Sequence, residues 1–147
     1  MSSTRKLAAI MFTDIVGSTA LWDRHPEEMT DALAEHDGRV RDIVEAHDGY
    51  VFTTAGDSFS VAFPTASDAL VTAIEIQLAM LEPAAGLPLR IRMGVHAGTA
   101  ALREGDYFGG AVNRAARVSA AAHGGQLILS GPVAEAVSSS LPAGVEL

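Results

Sequence analysis

The sequence predicts an α+β domain, a largely antiparallel sheet with helices packed on it, and three observations predict it. Short apolar runs of strand length are interleaved with longer segments whose apolar residues recur every three or four positions. Gly, Asp and Pro mark breaks between them at close intervals. The order of the two kinds of segment is strand, helix, strand, strand, helix, strand, the order of a sheet with crossover helices and a central hairpin. At 147 residues, 48% hydrophobic and 19% charged, with no repeat, linker or low-complexity stretch, residues 1–147 read as one domain with its own core.

Leu7 to Phe12 is a buried strand that ends at Thr13-Asp14, followed by Gly17-Ser18-Thr19 at a helix start. Pro26 to His47 carries Met29, Leu33, Val40 and Val44 at helical spacing until Asp48-Gly49 breaks it. Residues 49–54 and 58–63 are β-rich and flank Ala55-Gly56-Asp57, a hairpin with Asp57 at its tip. Pro64 to Glu82 reads as a helix burying Leu70, Ile74, Leu78 and Leu81, and Pro83 to Pro88 as a loop. Leu89 to His96 alternates as a strand, with Arg90 and Arg92 opposite Ile91 and Met93, before a return through Gly98 and Gly105. A helix over Gly109–Ala122, a strand over Gln126–Leu129 and a helix over Pro132–Ser139 complete a ferredoxin-like βαββαβ sandwich with additions.

A formal charge of −8 with only ten Lys and Arg residues excludes a nucleic-acid-wrapping protein, which needs clustered cations to displace counterions. With no cysteine there is neither a disulfide framework nor a thiolate zinc site, which fits the cytoplasm. The apolar run before Thr13 is too short for a signal core or a membrane span, so no membrane insertion is expected of this chain. The five histidines show no metal-ligand spacing: His36 and His47 share a helix, His25 and His123 lie in turns, and His96 is placed at a strand end. Trp22, with Leu21, is expected to pack the first helix on the sheet.

Asp14 ends the first strand and Asp57 tips the hairpin that commonly lies beside it, so the two carboxylates can converge. Such a pair suits magnesium, which takes few protein carboxylates and completes its shell with water and phosphate. Each Asp could equally cap a turn. Gly17-Ser18-Thr19 offers helix N-terminal amides to an anion, or a plain Ser/Thr cap.

Met11-Phe12-Thr13-Asp14-Ile15-Val16-Gly17-Ser18-Thr19, Thr53-Thr54-Ala55-Gly56-Asp57, and Asp106-Tyr107-Phe108-Gly109 followed by Val112-Asn113-Arg114-Ala115-Ala116-Arg117 resemble, in order, the three signature blocks of class III adenylate and guanylate cyclases. His123-Gly124-Gly125-Gln126 resembles the segment after the family's third helix, and the stretch between His96 and Asp106 the brief dimerisation arm of its bacterial, mycobacterial-like subgroup. The resemblance covers roughly Leu7 to Ser140 and implies a nucleotide cyclase fold. It further implies that Asp14 and Asp57, with the Ile15 carbonyl, hold two Mg²⁺ or Mn²⁺ ions and that Gly17, Ser18 and Thr19 bind phosphate. Asn113 and Arg117 would be the catalytic pair, reaching from the partner of a head-to-tail homodimer, and Thr53 and Asp106 would face the base. The implied reaction converts ATP, or less readily GTP, to the 3′,5′-cyclic nucleotide and pyrophosphate.

Two departures from the family pattern bear on activity. Adenylate cyclases of this type carry Lys at the Thr53 position and guanylate cyclases Glu; Thr53 is shorter than either and neutral. Asp106 matches the residue that accepts from the adenine amino group. The chain also ends at Gly144-Val145-Glu146-Leu147, where family members continue through another strand pair. The alternative expectation is a regulatory or nucleotide-binding module of low turnover, with a possible regulatory domain outside the chain. A metal-dependent nucleotidyl transferase of the polymerase-palm or diguanylate cyclase kind shares the paired carboxylates but lacks the Asn113–Arg117 block.

Overall fold

A computed structural model describes residues 4–103 and 106–147, with side chains described for 8–100 and 109–147. The described elements are β1 (Thr4–Ile15), α1 (Ser18–Arg24), α2 (Pro26–Ala46), β2 (Tyr50–Ala55), β3 (Ser58–Phe63), α3 (Ala66–Ala79), β4 (Ile91–Arg103), β5 (Asp106–Phe108), α4 (Gly110–Ala120), β6 (Leu127–Leu129) and α5 (Gly131–Val137). They form one six-stranded sheet in the order β2-β3-β1-β4-β5, with β6 also pairing β4. Every described pairing is antiparallel except β4 with β6, so the α+β, ferredoxin-like expectation holds.

Alternation along β1 divides the core. Ala9, Met11 and Ile15 face a large cluster built with Met29, Ala32, Val40 and Val44 of α2, Ala69, Ala73 and Ile76 of α3, and Val133 of α5. Ala8 and Ile10 face the other way, joining Ala62 and Ala115 under α4. Asp14 has the parity of Ala8 and Ile10 and therefore lies on the α4 side.

Gly94 sets how close α4 comes: a Cβ there would stand 2.2 Å from the Ser119 backbone nitrogen. At the other end of the helix the same approach brings Ala111 Cβ to 3.2 Å from the corresponding point on Gly98. The helix thus lies along β4 and runs against it. Its buried residues, Ala111, Ala115 and Ser119, are four apart and form one stripe against the sheet.

The structure corrects four expectations. β4 passes through Gly98 to Arg103 and returns as β5, so His96 is inside a strand, not at its end. Gly98 interrupts nothing: it leaves room for Ala111. The expected hairpin-like return is itself present as the antiparallel β4–β5 pair, with residues 104 and 105 outside those described. In α3 the buried face is Ala69, Leu70, Thr72, Ala73 and Ile76, while Leu78 and Leu81 are exposed. Trp22 is exposed, and of its pair only Leu21 packs on the core.

Candidate active site

The β1–β4 register makes Asp14 and Arg92 direct cross-strand partners. Arg92 donates from Nε to Asp14 Oδ1 at 2.7 Å and from Nη2 to Oδ2 at 2.8 Å, a two-pronged ion pair. The Arg92 pKa is raised above its ordinary value by that hydrogen bonding first and by the Asp14 charge second; partial burial opposes the shift, and the charge of Asp57 adds to it. The hairpin tip brings Asp57 to the same place, where its Oδ2 accepts from the Ile15 amide at 2.7 Å. Asp14, Ile15 and Asp57 are therefore gathered at one end of the β1–β3 pair.

This donor set, two carboxylates and a neighbouring main-chain segment, is all oxygen and suits a hard divalent cation that brings water and phosphate as its other ligands. Among the described residues no group of three His, Cys, Asp or Glu side chains forms a closed metal cage. An open two-carboxylate site fits magnesium better than a cage would, since magnesium retains part of its hydration shell.

Gly17, in the left-handed conformation at φ 68°, is the N-cap of α1, with no side-chain cap bond. The Ser/Thr capping alternative thus does not describe this helix start. Thr53 reaches the Asp14 side of the sheet through an irregularity. Val51 pairs Val61, but Thr53 pairs Ser60, so a bulge at Phe52 inserts one residue and reverses the alternation. Ser60 is in turn the partner of Phe12, two residues from Asp14. Thr53 is exposed. The side chain of Asp106 lies outside those described, although its backbone opens β5.

Asn113 and Arg117 are both exposed on α4. Each follows a buried Ala by two residues, about 200° around the helix, so the pair points away from its own sheet. They share a face with one another and not with the carboxylates of their own chain.

Sequence reading missed two side chains here. The sequence places Arg92 on a strand face without a partner; the usable signal is an arginine on the polar side of a strand that neighbours an Asp-bearing one. His96 is buried, with Nδ1 2.7 Å from Ser130 Oγ, and burial first and the Arg114 charge second lower its pKa from the usual histidine value. An apolar cavity of about 420 Å³ lies between α3, β6, α5 and residues 145–147, on the face of the sheet opposite Asp14.

Residues 2–141 match the sequence profile of the adenylate and guanylate cyclase catalytic domain. The chain belongs to this family. The cyclase domain is 39% identical over 136 residues to an uncharacterized protein of Mycobacterium tuberculosis, spanning 91% of this chain and 46% of that protein. It is 38% identical to an adenylate cyclase of Lachancea kluyveri over 83% of this chain and 8% of that protein. The cyclase domain thus spans less than half the length of these relatives. Among solved structures it is similar to adenylate cyclases from Trypanosoma brucei in their monomeric state, at 30% identity and a TM-score of 0.81 over 93% of this chain and 75% of that one. An adenylate/guanylate cyclase/hydrolase from Silicibacter pomeroyi matches at 30% identity and a TM-score of 0.81, over 95% and 84% of the two chains. No helix among the described residues is long and apolar enough to cross a membrane.

Proposed function

We propose that this domain is a purine nucleotide cyclase acting as a head-to-tail homodimer, with ATP favoured over GTP. The observation that carries the reading is the 2.7 Å hydrogen bond from the amide of Ile15, the residue after Asp14, to Asp57 Oδ2. Two divalent ions held by Asp14, Asp57 and the Ile15 carbonyl would supply an acidified ribose 3′-hydroxyl and an anchored triphosphate.

The chain's own groups do the rest. Asn113 orients the ribose, and Arg117 places a permanent planar charge on the phosphoryl group as the 3′-oxygen attacks the α-phosphorus and pyrophosphate leaves. No side-chain nucleophile takes part. Amides at Gly17, Ser18 and Thr19 meet the phosphates, the first turn of α1 having no side-chain cap to satisfy them. Thr53 and Asp106 face the base, and Asp106, as an acceptor, favours the amino group of adenine. Because Asn113 and Arg117 point away from their own sheet, they serve the carboxylates of a second chain, and a monomer has no complete site.

A second reading is a nucleotide-binding regulatory module of low turnover, favoured by one observation: an exposed, neutral Thr53 stands where a long charged group would read the base. One assay separates the two. Cyclic AMP or cyclic GMP formed from the triphosphate with Mn²⁺ or Mg²⁺, and lost in Asp57→Asn, supports the enzyme. That variant keeps an oxygen for the Ile15 amide and so removes the charge with little change in shape. Triphosphate binding without any product supports the module and overturns the cyclase reading.

A further inference from the structure

Both oxygens of Asp14 are occupied by one guanidinium, at 2.7 and 2.8 Å. Paired charge-assisted bonds of this kind are short, directional and roughly twice as strong as neutral ones. The strand register sets the partners directly opposite one another. It is not sealed from solvent: the Arg92 side chain is 35% exposed and that of Asp14 25%, which leaves ions access to it.

For an incoming dication the fork has two consequences. It engages both carboxylate oxygens in hydrogen bonds with which a metal must compete, and it sets a fixed positive charge beside the site. With Asp57 the local formal charge is −1, two carboxylates less one guanidinium, where the carboxylates alone would give −2. Both effects disfavour a bare cation more than a cation accompanied by an anion.

We propose that the Arg92–Asp14 pair is a gate on metal entry, which keeps divalent ions weakly held until an anionic triphosphate arrives to balance the guanidinium that the metal displaces. The proposal rests on the reading of Asp14 as a metal ligand. By linkage, whatever factor the nucleotide adds to metal affinity the metal adds to nucleotide affinity. Metal and nucleotide therefore load together, and the nucleotide-free protein does not hold the metal ready in advance.

The test is Mn²⁺ binding to the nucleotide-free protein, followed by the paramagnetic resonance of free Mn²⁺. Arg92→Met is expected to bind Mn²⁺ at least about fivefold more tightly than wild type, the low end of common coupling factors. Arg92→Lys keeps the charge without the fork and tightens by a smaller factor, which also serves should Arg92→Met not fold. Arg90→Met removes an equal charge from a guanidinium that contacts the Gly124 carbonyl instead, and leaves the affinity unchanged. If Asp14→Asn abolishes Mn²⁺ binding but neither Arg92 variant tightens it, the gate is wrong while the metal site stands. Equal tightening in Arg90→Met overturns the gate in favour of a general charge effect. Indifference of Mn²⁺ binding to Asp14→Asn removes the metal site and the gate with it.

Discussion

Replacing Gly94 by alanine tests how the catalytic helix is positioned. The new methyl would lie 2.2 Å from the Ser119 nitrogen, 2.6 Å from its Cα and 2.8 Å from the Val118 carbonyl carbon. All three are backbone atoms, so no side chain can turn aside and α4 itself must retreat. Ordinary contact begins near 3.4 Å, which sets the retreat at about 1 Å. Overpacking of this kind costs about 1–3 kcal/mol, and at roughly 4 °C per kcal/mol for a domain of this size Tm falls by about 4–12 °C.

The same displacement moves Asn113 and Arg117, whose placement is their whole contribution, and a 1 Å error in a positioned group costs on the order of 100-fold in rate. Gly98→Ala is the matched control. Its methyl would sit 3.2 Å from Ala111 Cβ, so α4 need give by only a few tenths of an ångström, at a cost of about 1 kcal/mol. Thermal melts and cyclic nucleotide formation on both variants decide the matter. If Gly94→Ala melts with wild type and turns over at the wild-type rate, α4 does not rest on the β4 backbone and the reasoning fails.

Thr53→Lys supplies a charged donor on the bulged strand and is expected to raise the rate with ATP about tenfold or more, the worth of one charge-assisted hydrogen bond; an unchanged rate in a steady-state assay would show that base contact is not limiting. His96 makes stability depend on pH. Its folded pKa lies below the ordinary value, so as pH falls through about 6.5 the unfolded chain takes up a proton that the folded chain refuses, and stability declines by at most about 1.4 kcal/mol per pH unit. Urea midpoints at about pH 7.5 and about pH 5.5 should fall further in wild type than in His96→Gln, and equal falls would contradict the assignment.

Much of this architecture is legible in the residues because strong local signals agree with the tertiary outcome. The apolar run before Thr13-Asp14 stops close to the end of β1 at Ile15, and Ala55-Gly56-Asp57 turns where a left-handed glycine, φ 61° at Gly56, allows it. Both carboxylates are legible for that reason. The failures have equally local causes. Large apolar residues misplace the buried face of α3, because Ala69 and Ala73 make the close contact while Leu78 and Leu81 remain exposed. Gly98 reads as a break when it is a point of close packing. The bulge that brings Thr53 to the Asp14 side, and the Arg92–Asp14 pair, depend on strand register, which no residue announces by itself.

The central claim is that carboxylates of one chain and the Asn113–Arg117 pair of another make one site, and mixing two inactive variants tests it most directly. Asp14→Ala and Arg117→Ala chains, each inactive alone, are combined in equal amounts and assayed for cyclic nucleotide. Half of the dimers are then mixed, and each has one intact site of two, so activity should return to about a quarter of wild type. A mixture as inactive as its parents, although mixed dimers have formed, would contradict a shared site.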